Sequence, residues 1–391
     1  MSFLNRRKFL QASGLSIIPA ILPVGSVLAQ APANKTAANG PLIKFYGDGE
    51  MFDPPAYIDE LVKLNSKTPI EKDRYGQGGA VAALEKKFEQ ITGKEKSMFM
   101  PSGTMANQLA IATLSGSNTK VFVQETSHVF RDEADAAQSV HQKRLIPLAK
   151  GEAYFTAADL QKAIESLEEE EAFKSGIGAV SIENPVRRAD GRQVPIAEIR
   201  KISDYCRNHN IRLHLDGARI FLAANWSGVS IKEYASYFDT IYISLYKYLG
   251  ASAGAVLCGA KPVIDPLEHQ VKIHGGSMYG NWLNAAMALN RLEGMEVRLT
   301  EATQRSVKIF AELNKVNGIK ISAIEGGTNL FSLQFDAGIN GEQTSGKLFA
   351  DHAIRIPRPG KSNEVKIAVN ETLLYRDADY VIAAFKKSLT R

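Results

Sequence analysis

Thr240-Ile241-Tyr242-Ile243-Ser244-Leu245-Tyr246-Lys247 is the stretch on which the reading of this chain turns. β-Branched, aromatic and aliphatic residues lead to one lysine, the composition of a buried strand that ends inside the protein. An amine placed there is partly desolvated. Desolvation disfavours the ammonium form, so such a lysine can lose its proton near neutral pH and condense with an aldehyde as a Schiff base. A single lysine is far more often solvated or salt-bridged, so its neighbours must decide. Upstream, Ile211-Arg212-Leu213-His214-Leu215 reads as a second strand, and Asp216-Gly217-Ala218-Arg219 follows it. The carboxylate then sits at the C-terminal edge of a sheet, where open α/β folds place their ligands, although an Asp-Gly pair alone is an ordinary turn. Asp216 and Lys247 stand 31 positions apart, enough for one helix, around 231–238, and one strand. Both groups therefore emerge at the same sheet edge.

Working outward, short apolar runs alternate with helix-period segments from about residue 80 to 260, the pattern of a mostly parallel sheet covered by helices. Candidate strands are Ser97–Met100, Lys120–Val123, Lys143–Ile146, Gly178–Ile182, Ile211–Leu215, Thr240–Ile243 and Gly254–Cys258, seven in one sheet. Val81, Leu84, Phe88 and Ile91 share a helical face that stops at Gly93, and Ile196, Ile199, Ile202 and Cys206 do the same after Pro195. Past Gly275-Gly276, one long helical pattern runs from about Asn281 through Arg291 and Arg298 to Lys315. Strands at Leu330–Phe335 and Val365–Val369 follow, then a helix with Tyr380, Val381, Ala384, Phe385 and Leu389 on one face. The expected architecture is α/β, with a large domain over residues 42–296 and a smaller α+β domain over 297–391.

Acids and bases are interspersed. The formal charge is +5, but Arg6, Arg7 and Lys8 account for three of those charges and the first 31 residues hold no acid, which leaves +2 for the rest. A nucleic-acid binder would carry a basic stripe with interleaved aromatics, and none is present. The two cysteines, Cys206 and Cys258, form no CxxC pair and no Cys/His cluster, and the seven histidines show no metal-ligand spacing. A disulfide framework and a metal site are therefore not expected.

Asn5-Arg6-Arg7-Lys8-Phe9-Leu10 precedes a modest apolar stretch and small residues through Val27-Leu28-Ala29, the layout of a secretory signal. The paired arginines resemble those of a twin-arginine signal. Gly14, Pro19, Pro23 and Gly25 interrupt the apolar run, which falls short of the ~20 residues a membrane-spanning helix needs. The expectation is a signal peptide over 1–29, a flexible tether over 30–41, and a periplasmic protein with no membrane attachment after cleavage. Because the twin-arginine route carries folded proteins with their cofactors inserted, the segment also points to a cofactor.

Met100-Pro101-Ser102-Gly103-Thr104 links a strand to the apolar helix Met105–Leu114. Hydroxyls and free backbone N–H groups at a helix start suit a phosphate, although the same residues also serve as an ordinary helix cap. Ser244, three residues before Lys247, adds a hydroxyl. His128 in Ser127-His128-Val129-Phe130 follows the Lys120–Val123 strand to the same edge, where an imidazole could stack on a cofactor ring and act as acid or base. His141, His209, His214, His269, His274 and His352 read as structural. An acid that keeps a pyridine nitrogen protonated, a lysine amine and a phosphate cradle are the groups that pyridoxal phosphate requires as an electron sink. Gly76-Gln77-Gly78-Gly79 follows polar residues rather than a strand and is no dinucleotide fingerprint. Ser102, flanked by Pro101 and Gly103, is no hydrolase elbow.

Taken in order, these motifs resemble the threonine aldolase and aromatic β-eliminating lyase group of fold-type I pyridoxal phosphate enzymes. The likeness runs from about Phe45 to the C-terminus through Arg74-Tyr75-Gly76, Pro101 to Gln108, Ser127 to Phe130, Ile182-Glu183-Asn184, His214 to Ile220, Ser244 to Lys247 and Thr328-Asn329-Leu330. The resemblance implies a homodimer or homotetramer with active sites at a subunit interface. It implies Lys247 as the Schiff-base lysine, Asp216 as the pyridinium contact, and His128 as the stacking residue and base. Ser102, Gly103, Thr104 and Ser244 would line the phosphate, Asn184 the cofactor ring, and Arg219 the phenolic oxygen and the substrate carboxylate. Asp48, Tyr75 and Lys366 would complete the substrate side.

Several departures fall on that substrate side. Gly47 stands where the family has Ser before the early Asp, Lys366 where it has the carboxylate-binding Arg, and Pro185-Val186 where it has a second histidine. Tyr246 replaces the Ser before the lysine, and Gly275-Gly276-Ser277-Met278-Tyr279 replaces a segment ending in Arg. Lysine keeps the charge but loses the bidentate fork. The leading expectation is cleavage of the Cα–Cβ bond of a β-hydroxy-α-amino acid to glycine and an aldehyde. β-Elimination or another amino-acid transformation on the same cofactor is the alternative, sugar aminotransfer is a further one, and a periplasmic amino-acid or pyridoxal-binding protein without turnover is a reading that retention of Lys247 and Asp216 opposes.

Overall fold

The computed structural model describes residues 40–390, which fall in one compact unit. The expected signal peptide over 1–29, and all but the end of the tether, lie outside the described residues. Twelve strands are described: β1 (Ile43–Lys44), β2 (Lys96–Met100), β3 (Lys120–Gln124), β4 (Arg144–Leu148), β5 (Ile177–Glu183), β6 (Arg212–Asp216), β7 (Thr240–Ser244), β8 (Ala255–Gly259), β9 (Ile319–Ala323), β10 (Leu330–Phe335), β11 (Ile354–Arg355) and β12 (Glu364–Ala368).

β2 to β8 form one seven-stranded sheet in the order β2-β8-β7-β6-β5-β3-β4. Only β8 runs against its neighbours. All seven strands expected from the sequence are present, with ends displaced by no more than two residues. β3, β7 and β8 are buried at every position, as strands covered on both faces must be, which is why they read as continuous apolar runs rather than alternating ones. The covering helices follow from 3.6-residue periodicity. Helix Gly79–Thr92 buries Ala80, Val81, Leu84 and Phe88 and stops at Gly93, whose φ of 67° suits glycine. Helix Ile196–Asn208 buries Ile199, Ile202 and Cys206.

The expected single helix from Asn281 to Lys315 is two helices, Trp282–Leu292 and Met295–Leu313. Gly294 adopts φ 66° between them, a left-handed conformation that terminates a helix, and the apolar periodicity alone does not register it. β9, β10 and β12 form an antiparallel sheet in the order β12-β10-β9. Its core, separate from that of the large sheet, includes Leu333, Phe335, Ile367, Val381 and Phe385. β1 pairs in parallel with β11, and Phe45 packs edge-on to Phe385 at 5.9 Å between ring centroids. Among the described residues no helix is long and apolar enough to cross a membrane.

Parallel strands deliver their C-terminal ends to one edge, so β2, β3, β5, β6 and β7 all point their last residues at the same rim. The groups singled out by sequence gather there.

Candidate active site

Ser244 closes β7, and the bend after it is pinned by Leu245, Tyr248 and Leu249, all fully buried. Lys247 lies between those anchors, its Nζ 5.5 Å from the Tyr246 ring centroid and 6.0 Å from that of Tyr242. Burial, and then the Arg219 guanidinium, bring the amine down to about 8. Its neutral, nucleophilic form is thus within reach at working pH. The shift carries a stability consequence for the cofactor-free protein. Between pH 8 and the ordinary lysine value of 10.5 the folded chain has released a proton that the unfolded chain still holds, so stability rises with pH through that window. Replacing Lys247 with Met should remove that rise, worth a few kcal/mol, in melting curves of wild type and variant between pH 7.5 and 10.5. Parallel curves would contradict the burial of the amine.

Asp216 ends β6 and is 2% exposed. Its Oδ1 accepts the Ala218 N–H at 3.1 Å, and its Oδ2 accepts from Asn107 Nδ2 at 2.9 Å. The same amide donates to Glu133 Oε1 at 2.7 Å, and Glu133 Oε1 stands 2.8 Å from His128 Nδ1. The Glu133 bond raises the His128 pKa against the opposing effect of burial. Burial raises that of Glu133. Glu133 is aimed inward by a chain reversal in which Ala134 and Asp135 take φ of 49° and 55°, a conformation that non-glycine residues adopt rarely. Buried Glu183, at the end of β5, accepts the His128 backbone N–H at 2.7 Å, and burial together with the Asp216 charge raises its pKa. Ligand atoms of His128, Glu133 and Asp216 lie within 4.8 Å of one another. The carboxylates already take N–H bonds from Asn107, and Glu133 lies against the imidazole, so the group is internally satisfied without a cation.

Helix Gly103–Ser115 begins at the end of β2 with Ser102 as its cap, Oγ accepting the Met105 N–H at 3.2 Å. A Cβ at Gly103 would stand 2.1 Å from the Tyr242 hydroxyl, so only glycine lets the helix start approach β7 this closely. Thr104 follows in the first turn, where backbone N–H groups have no partner within the helix. The Ser244 hydroxyl is buried at the end of β7 beside the Tyr242 phenol, and a further acceptor there would complete its hydrogen bonding. An amine of lowered pKa, a buried carboxylate, and a helix start whose glycine leaves no room for a Cβ are the set that pyridoxal phosphate needs, and the residues fit it.

On the substrate side, Asp48 accepts from Arg219 Nε at 2.9 Å, both largely buried. Asn184 is buried, its Oδ1 accepting the Val194 N–H at 2.9 Å. Two predicted residues make their contacts elsewhere. Tyr75 is 54% exposed on a turn, edge-on to Tyr279 at 5.4 Å and beneath Lys272. Lys366, on β12, holds Asp190 Oδ1 at 2.5 Å on the surface. Sequence reasoning overlooked Glu133 and Asn107 as site residues and set His214 aside as structural, whereas its Nε2 contacts Asn107 Oδ1 at 3.0 Å. The signal was available for His214: it precedes Asp216 by two residues on one strand and so shares its face.

A family model for beta-eliminating lyases matches residues 58–335. The low-specificity L-threonine aldolase of Candida albicans is 34% identical over 251 residues, 64% of this chain and 66% of that protein. Alanine racemase TOXG of Cochliobolus carbonum is 31% identical over 281 residues, 69% of this chain and 70% of its own length. The chain thus spans about two thirds of each of these relatives. A crystal structure from Exiguobacterium sp. 255-15, provisionally named an aromatic amino acid beta-eliminating lyase/threonine aldolase, superposes with a TM-score of 0.74 at 24% identity, over 90% of this chain and 97% of that one. The chain belongs to the beta-eliminating lyase family and is a pyridoxal phosphate-dependent lyase with the fold-type I architecture.

Proposed function

We propose that the protein cleaves the Cα–Cβ bond of a β-hydroxy-α-amino acid, giving glycine and an aldehyde. The observation that carries this reading is His128, an imidazole held at Nδ1 by buried Glu133 at the rim shared by Lys247 and Asp216. Lys247 would hold the cofactor's aldehyde carbon, Asp216 its ring nitrogen, and Ser102, Gly103, Thr104 and Ser244 its phosphate. Bound there, pyridoxal phosphate supplies an electron sink for the pair left on Cα. Glu133 accepts the Nδ1 proton, so the lone pair of Nε2 is free to take the proton of the β-hydroxyl as the carbonyl of the departing aldehyde forms. Arg219 is tethered through Nε, so the outer nitrogens of its fork are the ones that meet the substrate carboxylate. A proton returned to Cα completes glycine. The aldolase relative supports this choice of bond, while the family as a whole also includes β-elimination.

The test is product analysis with the cofactor-loaded protein on threonine, allo-threonine and phenylserine. Aldehyde with equimolar glycine is expected. Ammonia with a keto acid, and no aldehyde, would replace this reading with β-elimination.

We also propose that a second copy of the chain covers helix Pro54–Lys67, which buries no side chain of its own while Ile58 and Val62 stand about 60% exposed. Light scattering should give a mass at a multiple of the monomer's, and a monomer at micromolar concentration would refute it. Arg6-Arg7 supports export to the periplasm. Arg6→Lys with Arg7→Lys should hold the protein in the cytoplasm on fractionation, and unchanged export would exclude the twin-arginine route.

A further inference from the structure

The amide of Asn107 stands between two carboxylates and one imidazole, and every one of its contacts lies in the buried interior. Its Nδ2 spends one hydrogen on Glu133 Oε1 at 2.7 Å and the other on Asp216 Oδ2 at 2.9 Å, while its Oδ1 meets His214 Nε2 at 3.0 Å. Rotating the amide by half a turn would set its carbonyl oxygen against two carboxylates, so the orientation is forced. Behind it, His214 is fully buried and burial lowers its pKa to about 4. The ring is therefore neutral, with a single N–H. An oxygen on Asn107 can only accept, so that N–H is on Nε2, and His214 Nδ1 accepts the Thr240 hydroxyl at 2.8 Å. Thr240 is the register partner of His214 across β6 and β7, so the sheet itself fixes the far end of the chain.

We propose that Asn107 is a positioning residue that couples the two working groups of the site, holding the Asp216 carboxylate aimed at the cofactor's ring nitrogen while holding Glu133 as the acceptor that sets the tautomer of His128. Thr240 and His214 polarise it from behind, and the two carboxylates prevent the amide from turning over. One side chain thereby links the electron-sink side of the site to its proton-transfer side. The inference rests on the cofactor assignment and is independent of which bond to Cα is broken. It also explains a donor count: removing Asn107 would leave two buried carboxylates each short of a bond.

The other titratable and charged groups facing the pair are Glu183 at the end of β5, Arg219 and Lys247 at the rim, Asp48 on Arg219, Asp132 near His128, and the phenols of Tyr242 and Tyr248. They stay in place in the variants below, so differences between variants report on Asn107. The discriminating comparison is Asn107→Ala against Asn107→Asp. Asp preserves the shape but replaces the two donors with a third carboxylate. If Asn107 served packing alone, Asp would be the milder change; the donor role makes it the more severe.

Two readouts test this: the dissociation constant for pyridoxal phosphate, from titration of its visible absorbance, and the acid limb of the kcat profile for whichever product the enzyme forms. For Asn107→Ala the expected results are an acid limb moved up by about one pH unit and cofactor binding weakened about tenfold. For Asn107→Asp the expected loss in cofactor binding is at least about a hundredfold. Should Asn107→Asp fail to fold, Thr240→Val supplies the test, because it removes the hydroxyl on His214 Nδ1 and so weakens the polarisation of the amide and of the bonds it donates; its acid limb should also move up, by less than in Asn107→Ala. Asp milder than Ala, or a Thr240→Val profile superimposable on wild type, overturns the proposal. Failure of the aldolase reading would appear instead as absent aldehyde with these binding differences intact.

Discussion

Lys247→Ala should abolish turnover, with a fall in kcat of at least about 10⁴-fold on any amino acid the wild type accepts. The expectation comes from the place of the amine. It is pinned between the buried side chains of Leu245 and Tyr248, and its pKa lies near 8. A neutral amine is a nucleophile, whereas an ammonium is not, and the shift brings the neutral form into use without a separate base. The variant should retain the fold, because Leu245 and Tyr248 still pin the bend and the loss of a desolvated amine offsets the loss of its packed stem, so its melting temperature should stay close to that of wild type. Residual turnover above a hundredth of wild type would remove Lys247 from the chemistry and leave the pH window of stability as its only consequence.

Asp216→Asn is the second large effect. The substitution keeps the shape and leaves an oxygen to accept from Asn107, so the β6 terminus should hold. What it removes is a charge, and breaking one half of a buried charged pair costs roughly 3–5 kcal/mol. At about 1.4 kcal/mol per decade, cofactor affinity should fall by about two to three and a half orders of magnitude, read by absorbance titration of the purified variant. The affinity change separates a ring contact from a structural carboxylate: a variant that binds the cofactor within threefold of wild type assigns Asp216 to structure and moves the ring-nitrogen contact elsewhere.

How much of this was legible depends on the range over which each signal acts. β7 and the lysine after it are local, so Thr240 to Lys247 could be read as a strand and a desolvated amine with nothing else known. Strand edges slipped by a residue or two because burial, not propensity, fixes where pairing stops. The helix break at Gly294 was hidden because apolar periodicity continues on both sides of it. β1 was invisible for a different reason: two residues have no periodicity, and its partner β11 lies over 300 residues away. Glu133 was likewise unreadable, since its inward aim depends on two left-handed residues, Ala134 and Asp135, that carry no glycine to announce a turn. Asn107 lay inside a motif recognised for its phosphate loop, which drew attention to the helix start and away from the helix interior. The substrate residues were the least legible. Tyr75 and Lys366 came only from resemblance, and the contacts the chain gives them are with Tyr279 and Lys272, and with Asp190.

The pairing of β1 with β11 has a consequence for biosynthesis. Lys44 N–H is held by the Thr372 hydroxyl at 2.9 Å, and Phe45 lies against Phe385. A ribosome makes residues 43–45 among the first and must finish nearly the whole message before their partners leave the exit tunnel. The seven-stranded sheet can assemble while translation continues, but β1 has no partner strand until residues 354–355 exist, and Phe45 lacks its ring contact until the last helix does. A nonsense codon anywhere before residue 354 would therefore leave β1 without its partner strand, giving a quality-control protease an undocked segment at the start of the described chain.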